Sequence, residues 1–266
     1  MTEYTYFRYY KDVNDNSKTA VKTAVQNFKN SIKKNKNFLK GFDFHIVNSY
    51  KDLKKQSRLT TFVQEHSDEF GITGGLTVSA ASNGDKKEII INVNNNGISS
   101  IWAKNKDTSA IKQATMHEIG HQFDDYFGSC KKDLVDKIRK MPVETDSEED
   151  ERVMSEYLRT KDLSDTKEFK LAWKQDVEKL NQNSLWDKCF NRLPFEYTPY
   201  DIDITDGVTD MEVEESDNAR SEIFAQLFSY AMGEDDGQKD VITQKYKNSY
   251  KLVKSYIQRY LGIECE

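Results

Sequence analysis

No run of eighteen apolar residues occurs in the chain, so nothing in it is long enough to cross a bilayer as a helix. Cysteine is scarce: Cys130, Cys189 and Cys265 are odd in number and far apart, which fits neither a disulfide framework nor a CxxC zinc knuckle. All three read as free thiols. A basic stripe is lacking too, because 39 basic and 45 acidic side chains are mixed along the chain for a net charge of -6. Nucleic acid is therefore not an expected partner. The opening MTEYTYFRYYKDVNDNS has no cationic region running into an apolar one, so no Sec leader is expected, and both a secreted and a cytoplasmic location stay open. There is no internal repeat, no low-complexity tract, and histidine occurs only as His45, His66, His117 and His121.

What is present is enough apolar material, 36% hydrophobic and 12% aromatic over 266 residues, for the core of one large domain. Ala20, Val21, Ala24, Val25, Phe28 and Ile32 recur at helical spacing, so 17–39 is expected to be an amphipathic helix stopped by Gly41. FDFHIVNS at 42–49 alternates like a strand. A helical patch follows at 50–69, then strands at 72–80 (ITGGLTVSA) and 87–94 (KEIIINVN), with Asn83 and Gly84 in the turn between them. Asp107 or Thr108 can cap a helix from Ser109 to Phe127, with Gly128 just past its end. Residues 201–216 read as an acidic loop, 217–232 as a helix opened by Ser216 or Asp217 and closed by Gly233, and 238–261 as the last helix. This order predicts an α+β fold and a single domain over 1–266, with a core of about 40–128 and 201–262 and a charged helical insertion at about 129–200.

The chemistry is concentrated in MHEIGHQFDDYFG, residues 116–128. His117 and His121 are four apart, so on a helix their imidazoles stack on one face, the geometry one zinc ion needs. Met116, Ile119, Gly120, Phe123 and Phe127 fall on a separate stripe that can face a core. Glu118 stands beside the histidine stripe, suited to be the general base for a water activated by the metal. Asp124 or Asp125, one turn beyond His121, can orient a ligand imidazole.

Hydrolytic zinc takes a third protein ligand and keeps one position open. In DNARSEIFAQLFSYAM, Ile223, Phe224, Leu227, Phe228 and Ala231 form a broad apolar side, leaving Glu222, Gln226 and Ser229 as a narrow polar stripe. Glu222 is the only carboxylate on that stripe and the favoured third ligand; His45 and His66 compete with it.

HEIGHQFDDYFG together with SEIFAQLF resembles the catalytic domain of the anthrax lethal factor family, which includes secreted Pro-Pro endopeptidases. The resemblance implies a zincin-like domain with a small mixed sheet, an HExxH helix and a mainly helical C-terminal half. It implies His117, His121 and Glu222 as ligands of one Zn2+ ion and Glu118 as base, in a gluzincin-type metalloendopeptidase. Toxin or secreted bacterial proteases, some cutting near proline, are the implied relatives. The family's oxyanion tyrosine lies seven residues before the third ligand, where this chain has Glu215; Tyr200 and Tyr197 are the nearest substitutes. The acid expected four residues after that ligand is Gln226, which keeps hydrogen-bonding capacity without charge. The stretch between His121 and Glu222 is also longer than the family's usual spacing. HEIGH equally resembles intracellular regulatory peptidases of the ImmA/IrrE kind, and the missing tyrosine leaves room for a binding module without turnover.

KEIIINVN occupies the place of the zincin edge strand that holds an extended peptide substrate, with an ordinary core strand as the alternative. DIDITDGVTDME has acids at calcium-loop positions, but its glycine is one place late, so an unliganded acidic loop is expected. The run DSEEDE reads as a solvated turn. Gly74 and Gly75 mark a bend, since no GK[ST] follows.

Overall fold

In the computed structural model of the protein, which describes residues 5–65, 75–77, 87–93, 108–128, 162–177, 210–235 and 237–265, the first element is a strand, β1 (Tyr6–Tyr9). The hydrophobic pattern gives no sign of it, because Tyr6 and Tyr9 are both exposed and only Phe7 turns inward. Parallel pairing with the next strand and stacking of Phe7 on Phe44 at 5.4 Å hold it in place.

Helix α1 (Asp15–Ser31) starts where the Asn14 side chain accepts a hydrogen bond from the Ser17 amide, a regular N-cap. Its buried face is Ala20, Val21, Ala24, Val25 and Phe28. The helix ends well before the expected residue 39. Asn35 adopts a left-handed backbone, and the Lys33 and Lys34 amides donate to the Leu261 carbonyl at 2.9 and 2.8 Å. A tertiary acceptor takes over the amides that would have continued the helix. Gly41, with φ +80, belongs to the turn into the next strand instead.

Strand β2 (Phe42–Val47) sends Phe42, Phe44 and Ile46 into the main core and Asp43, His45 and Val47 to the other face, as alternation requires. A short 3-10 turn at Tyr50–Asp52 and helix α2 (Arg58–Glu65) follow, with Tyr50, Leu53 and Val63 closing a smaller core over that second face. Strand β3 (Gly75–Thr77) pairs antiparallel with β4 (Lys87–Asn92), and β4 pairs parallel with β2. The sheet order is β1-β2-β4-β3. The KEIIIN segment is thus interior, and its isoleucines are fully buried. Of the two readings of this segment, the core strand is what its described residues form, because β4 is paired on both sides; among the described residues the outermost strand on that side, next to the following helix, is β3. The turn at Asn83 and Gly84 and the bend at Gly74 lie outside the described residues.

Helix α3 (Thr108–Phe127) carries the HExxH stretch and lies against α1, β3 and β4. A 3-10 turn, Leu163–Asp165, and helix α4 (Lys167–Val177) are the described part of the charged middle region, and Leu163, Phe169 and Trp173 sit in the main core. Helix α5 (Asp210–Ala231) begins earlier than the expected residue 217, so residues 210–216 are helix and not loop. Gly233, φ +93, ends the segment, with the Glu234 amide reaching back to the Ser229 carbonyl.

The expected last helix is two: α6 (Lys239–Lys245) and α7 (Lys247–Leu261), broken at the buried Tyr246. Asp176, from α4, accepts hydrogen bonds from the Asn248 and Ser249 amides and both side chains, at 2.7–3.1 Å. It caps α7 from a distant part of the chain. The fold is α+β, a four-stranded mixed sheet with helices, and its core also takes in α1, before the span of about 40 onward read from the sequence. No helix among the described residues is long and apolar enough to cross a membrane. Cys265 is a free thiol; Cys130 and Cys189, the DSEEDE run and most of the acidic stretch 201–212 lie outside the described residues.

Candidate metal centre

Helices α3 and α5 cross with almost no space between their backbones. A Cβ on Gly120 would stand 2.9 Å from the Ala225 Cα and 3.1 Å from the Phe228 Cβ. Glycine at 120 and alanine at 225 therefore set how near the two helices come, and with it the gap between the histidines of α3 and the acid of α5. The apolar stripe beside this crossing packs as its period requires: Met116, Ile119 and Phe123 are buried, and Phe123 lies 5.0 Å from Phe228, ring to ring.

On the polar side three donors converge. His117 Nε2 lies 3.1 Å from Glu222 Oε2, His121 Nε2 lies 3.3 Å from Glu222 Oε1, and the two Nε2 atoms are 3.2 Å apart. Ligands about 2.0–2.1 Å from a tetrahedral ion stand roughly 3.3–3.4 Å from one another, close to the separations among these two imidazole nitrogens and two carboxylate oxygens.

The far side of each ring says what the near side presents. His117 Nδ1 is 3.1 Å from Gln226 Oε1, an oxygen that also accepts from Gln113 Nε2. An acceptor there puts the His117 proton on Nδ1 and leaves a lone pair on Nε2. His121 Nδ1 meets Ser221 Oγ at 3.2 Å, and that hydroxyl donates to Asp124 Oδ2 at 3.4 Å. His121 too turns a lone pair inward. Three electron pairs thus point at one spot, and a single proton can bridge only one pair of them, whereas a cation at the centre meets all three. The donor set, two imidazoles and a carboxylate, is one zinc accepts.

Glu222 is 30% exposed at its side chain. Burial alone would raise its pKa, yet the two imidazoles, which attract and hydrogen-bond the carboxylate whenever an Nε2 carries a proton, hold it well below the ordinary carboxylate range. Glu118 behaves in the opposite way. It is buried, which pushes its pKa up to about 8 against the attraction of His117, and the Glu222 charge adds to the rise. Two carboxyls around one centre are driven apart, one kept ionised and one able to hold a proton near neutral pH.

Asp124 is buried and connects to His121 through Ser221, while Asp125 is only partly covered. The Asp124 carboxyl accepts the Ser164 amide and hydroxyl at 2.7 Å each, tying the histidine helix to the turn Leu163–Asp165. Burial, with the charges of Asp162 and Asp165, raises its pKa well above normal, and the Ser164 hydrogen bonds oppose that. Ser221, Gln113 and Ser164 had no place in the sequence reading. Gln113, one turn before His117, shows the spacing that would have found it; Ser164 shows no such signal.

His45 is not part of this centre and stands with Asp43 and Glu88 on the second face of the sheet. His66, Tyr197 and Tyr200 lie outside the described residues; Glu215 is on α5, with only its backbone described. The chain matches no family model, no curated protein and no solved structure.

Proposed function

We propose that the protein is a zinc-dependent endopeptidase with a zincin-like domain, resembling lethal factor-type proteases. The convergence of His117 Nε2, His121 Nε2 and the Glu222 carboxylate within 3.3 Å, with Glu118 beside them, carries this reading. A zinc ion held by those three groups supplies a Lewis acid that polarises a scissile carbonyl and acidifies water. Glu118 accepts the proton from the attacking water and returns it to the departing amine. Gln226 and the Ser221–Asp124 pair keep the two rings in one tautomer and orientation. The substrate is a protein segment in extended form, added as a strand beside β3, the outermost strand among the described residues on the side that packs against α3.

The test is zinc analysis and peptide-library cleavage on the wild type beside Glu118→Ala and Glu222→Ala. Stoichiometric zinc and cleavage in the wild type, zinc without cleavage in Glu118→Ala, and loss of both in Glu222→Ala are expected. A wild type that retains no zinc defeats the proposal. Zinc without cleavage in the wild type selects the second reading, a metal-binding module without turnover, which the Glu215 in place of an oxyanion tyrosine favours.

A further inference from the structure

The second face of the sheet carries a buried group of charges that the peptidase reading does not use. Asp43 and His45 are two apart on β2 and so share a face, and the parallel register sets Glu88 of β4 directly beside Asp43. His45 Nε2 lies 3.9 Å from Asp43 Oδ2 and 3.9 Å from Glu88 Oε1, and one ligand atom from each of the three residues falls within 4.8 Å of the others. Side-chain exposure is 1% for His45, 17% for Asp43 and 7% for Glu88.

Glu88 is the informative member. Its carboxylate is almost fully buried, faces His45, and accepts no hydrogen bond among the described residues. A gap of 3.9 Å is too long for a proton on Nε2 to serve either carboxylate as a hydrogen bond. An ion about 2.1–2.3 Å from His45 Nε2 and from a carboxylate oxygen spans that gap at an angle of roughly 115–135°. Charge points the same way. Among the described residues the cation on this group is Arg8, whose Nε donates to both Asp43 oxygens at 2.8 and 2.6 Å, so there two carboxylates face one guanidinium.

The geometry points to a second divalent-cation site, formed by Asp43, His45 and Glu88, distinct from the His117–His121–Glu222 centre. One imidazole with two carboxylates suits a first-row transition ion such as zinc or manganese over calcium or magnesium, which prefer all-oxygen shells. The outer groups are in place: Tyr10 Oη lies 2.9 Å from His45 Nδ1 and steadies the ring, and Arg8 steadies Asp43. Arg8 is on β1 and Tyr10 directly follows it, so a bound ion fastens the exposed N-terminal strand to β2 and β4. The role is structural, and it does not rest on the peptidase reading.

The test uses the full chain with His117→Ala and His121→Ala, which removes the first centre. After stripping with a chelator, Zn2+ and Mn2+ are titrated separately by calorimetry, and the retained metal is counted after desalting. One equivalent per chain and a metal-dependent rise in Tm are expected, with at least a tenfold loss of affinity on adding Glu88→Gln. No bound equivalent, or binding that Glu88→Gln leaves unchanged, overturns the site. Should Glu88→Gln fail to fold, the double-alanine protein itself decides: Mn2+ must broaden the His45 ring resonances before those of His66, and uniform broadening rejects the assignment.

Discussion

Two groupings of imidazole and carboxylate lie among the described residues, and they are built differently. The first joins two helices across a crossing that Gly120 and Ala225 make unusually close, and its two imidazole nitrogens stand 3.1–3.3 Å from each other and from the Glu222 oxygens they face. The second joins neighbouring strands, and its imidazole stands 3.9 Å from each of two carboxylates, one of which already holds an arginine. Helix crossing lets small residues tune the spacing of ligands, whereas strand spacing is fixed by the backbone ladder at about 4.8 Å. A catalytic ion profits from the tighter, tunable arrangement and from an exposed side. A structural ion does well with the fixed, covered one.

The comparison breaks most visibly at Glu118. Glu118→Gln is expected to keep zinc at the helix crossing and lose about 10²–10⁴-fold in kcat, measured on any peptide the wild type cleaves. Equal cleavage by the variant would remove the functional distinction between the two groupings. The same residue gives a pH signature. Its folded pKa of about 8 lies above that of an unfolded glutamate, so protonation favours the folded state. In metal-stripped protein this contribution is complete below about pH 4 and is lost as pH rises through 8, a fall of a few kcal/mol. Urea midpoints from pH 5 to 9 should decline in the wild type and decline less in Glu118→Gln.

Gly120→Ala tests the crossing itself. A methyl 2.9 Å from the Ala225 Cα must push α5 away, with an expected cost of about 1–3 kcal/mol in urea unfolding and weaker zinc binding. Unchanged zinc affinity would mean that the helix separation does not set the ligand spacing. Ser221→Ala cuts the link from His121 to Asp124, and a zinc affinity about 10–100-fold lower is expected in competition with a chromophoric chelator. The smallest effect is expected on the sheet. Tyr10→Phe removes the hydrogen bond to His45 and should cost about 1 kcal/mol of stability with cleavage unaltered. A loss of cleavage there would show that the two groupings are coupled.

The sequence by itself determined what is local. Four-residue spacing put His117 and His121 on one face, the apolar stripe of Met116, Ile119 and Phe123 marked the side that packs, and alternation marked 42–49 as a strand, of which Phe42–Val47 forms one. Gly233 closed a helix because its left-handed backbone is a local preference. Only the tertiary structure decided which distant residue completes each grouping. Glu222 is 105 residues from His117, and the choice between it and His45 turned on how α3 and α5 cross. Glu88 joined His45 only through the parallel register of β2 and β4. The interior place of β4, the end of α1 at the Leu261 carbonyl and the break at Tyr246 under the Asp176 cap belong with these. In each, a backbone or side-chain group takes its partner from a remote segment, and local periodicity carries no trace of partners that packing alone supplies.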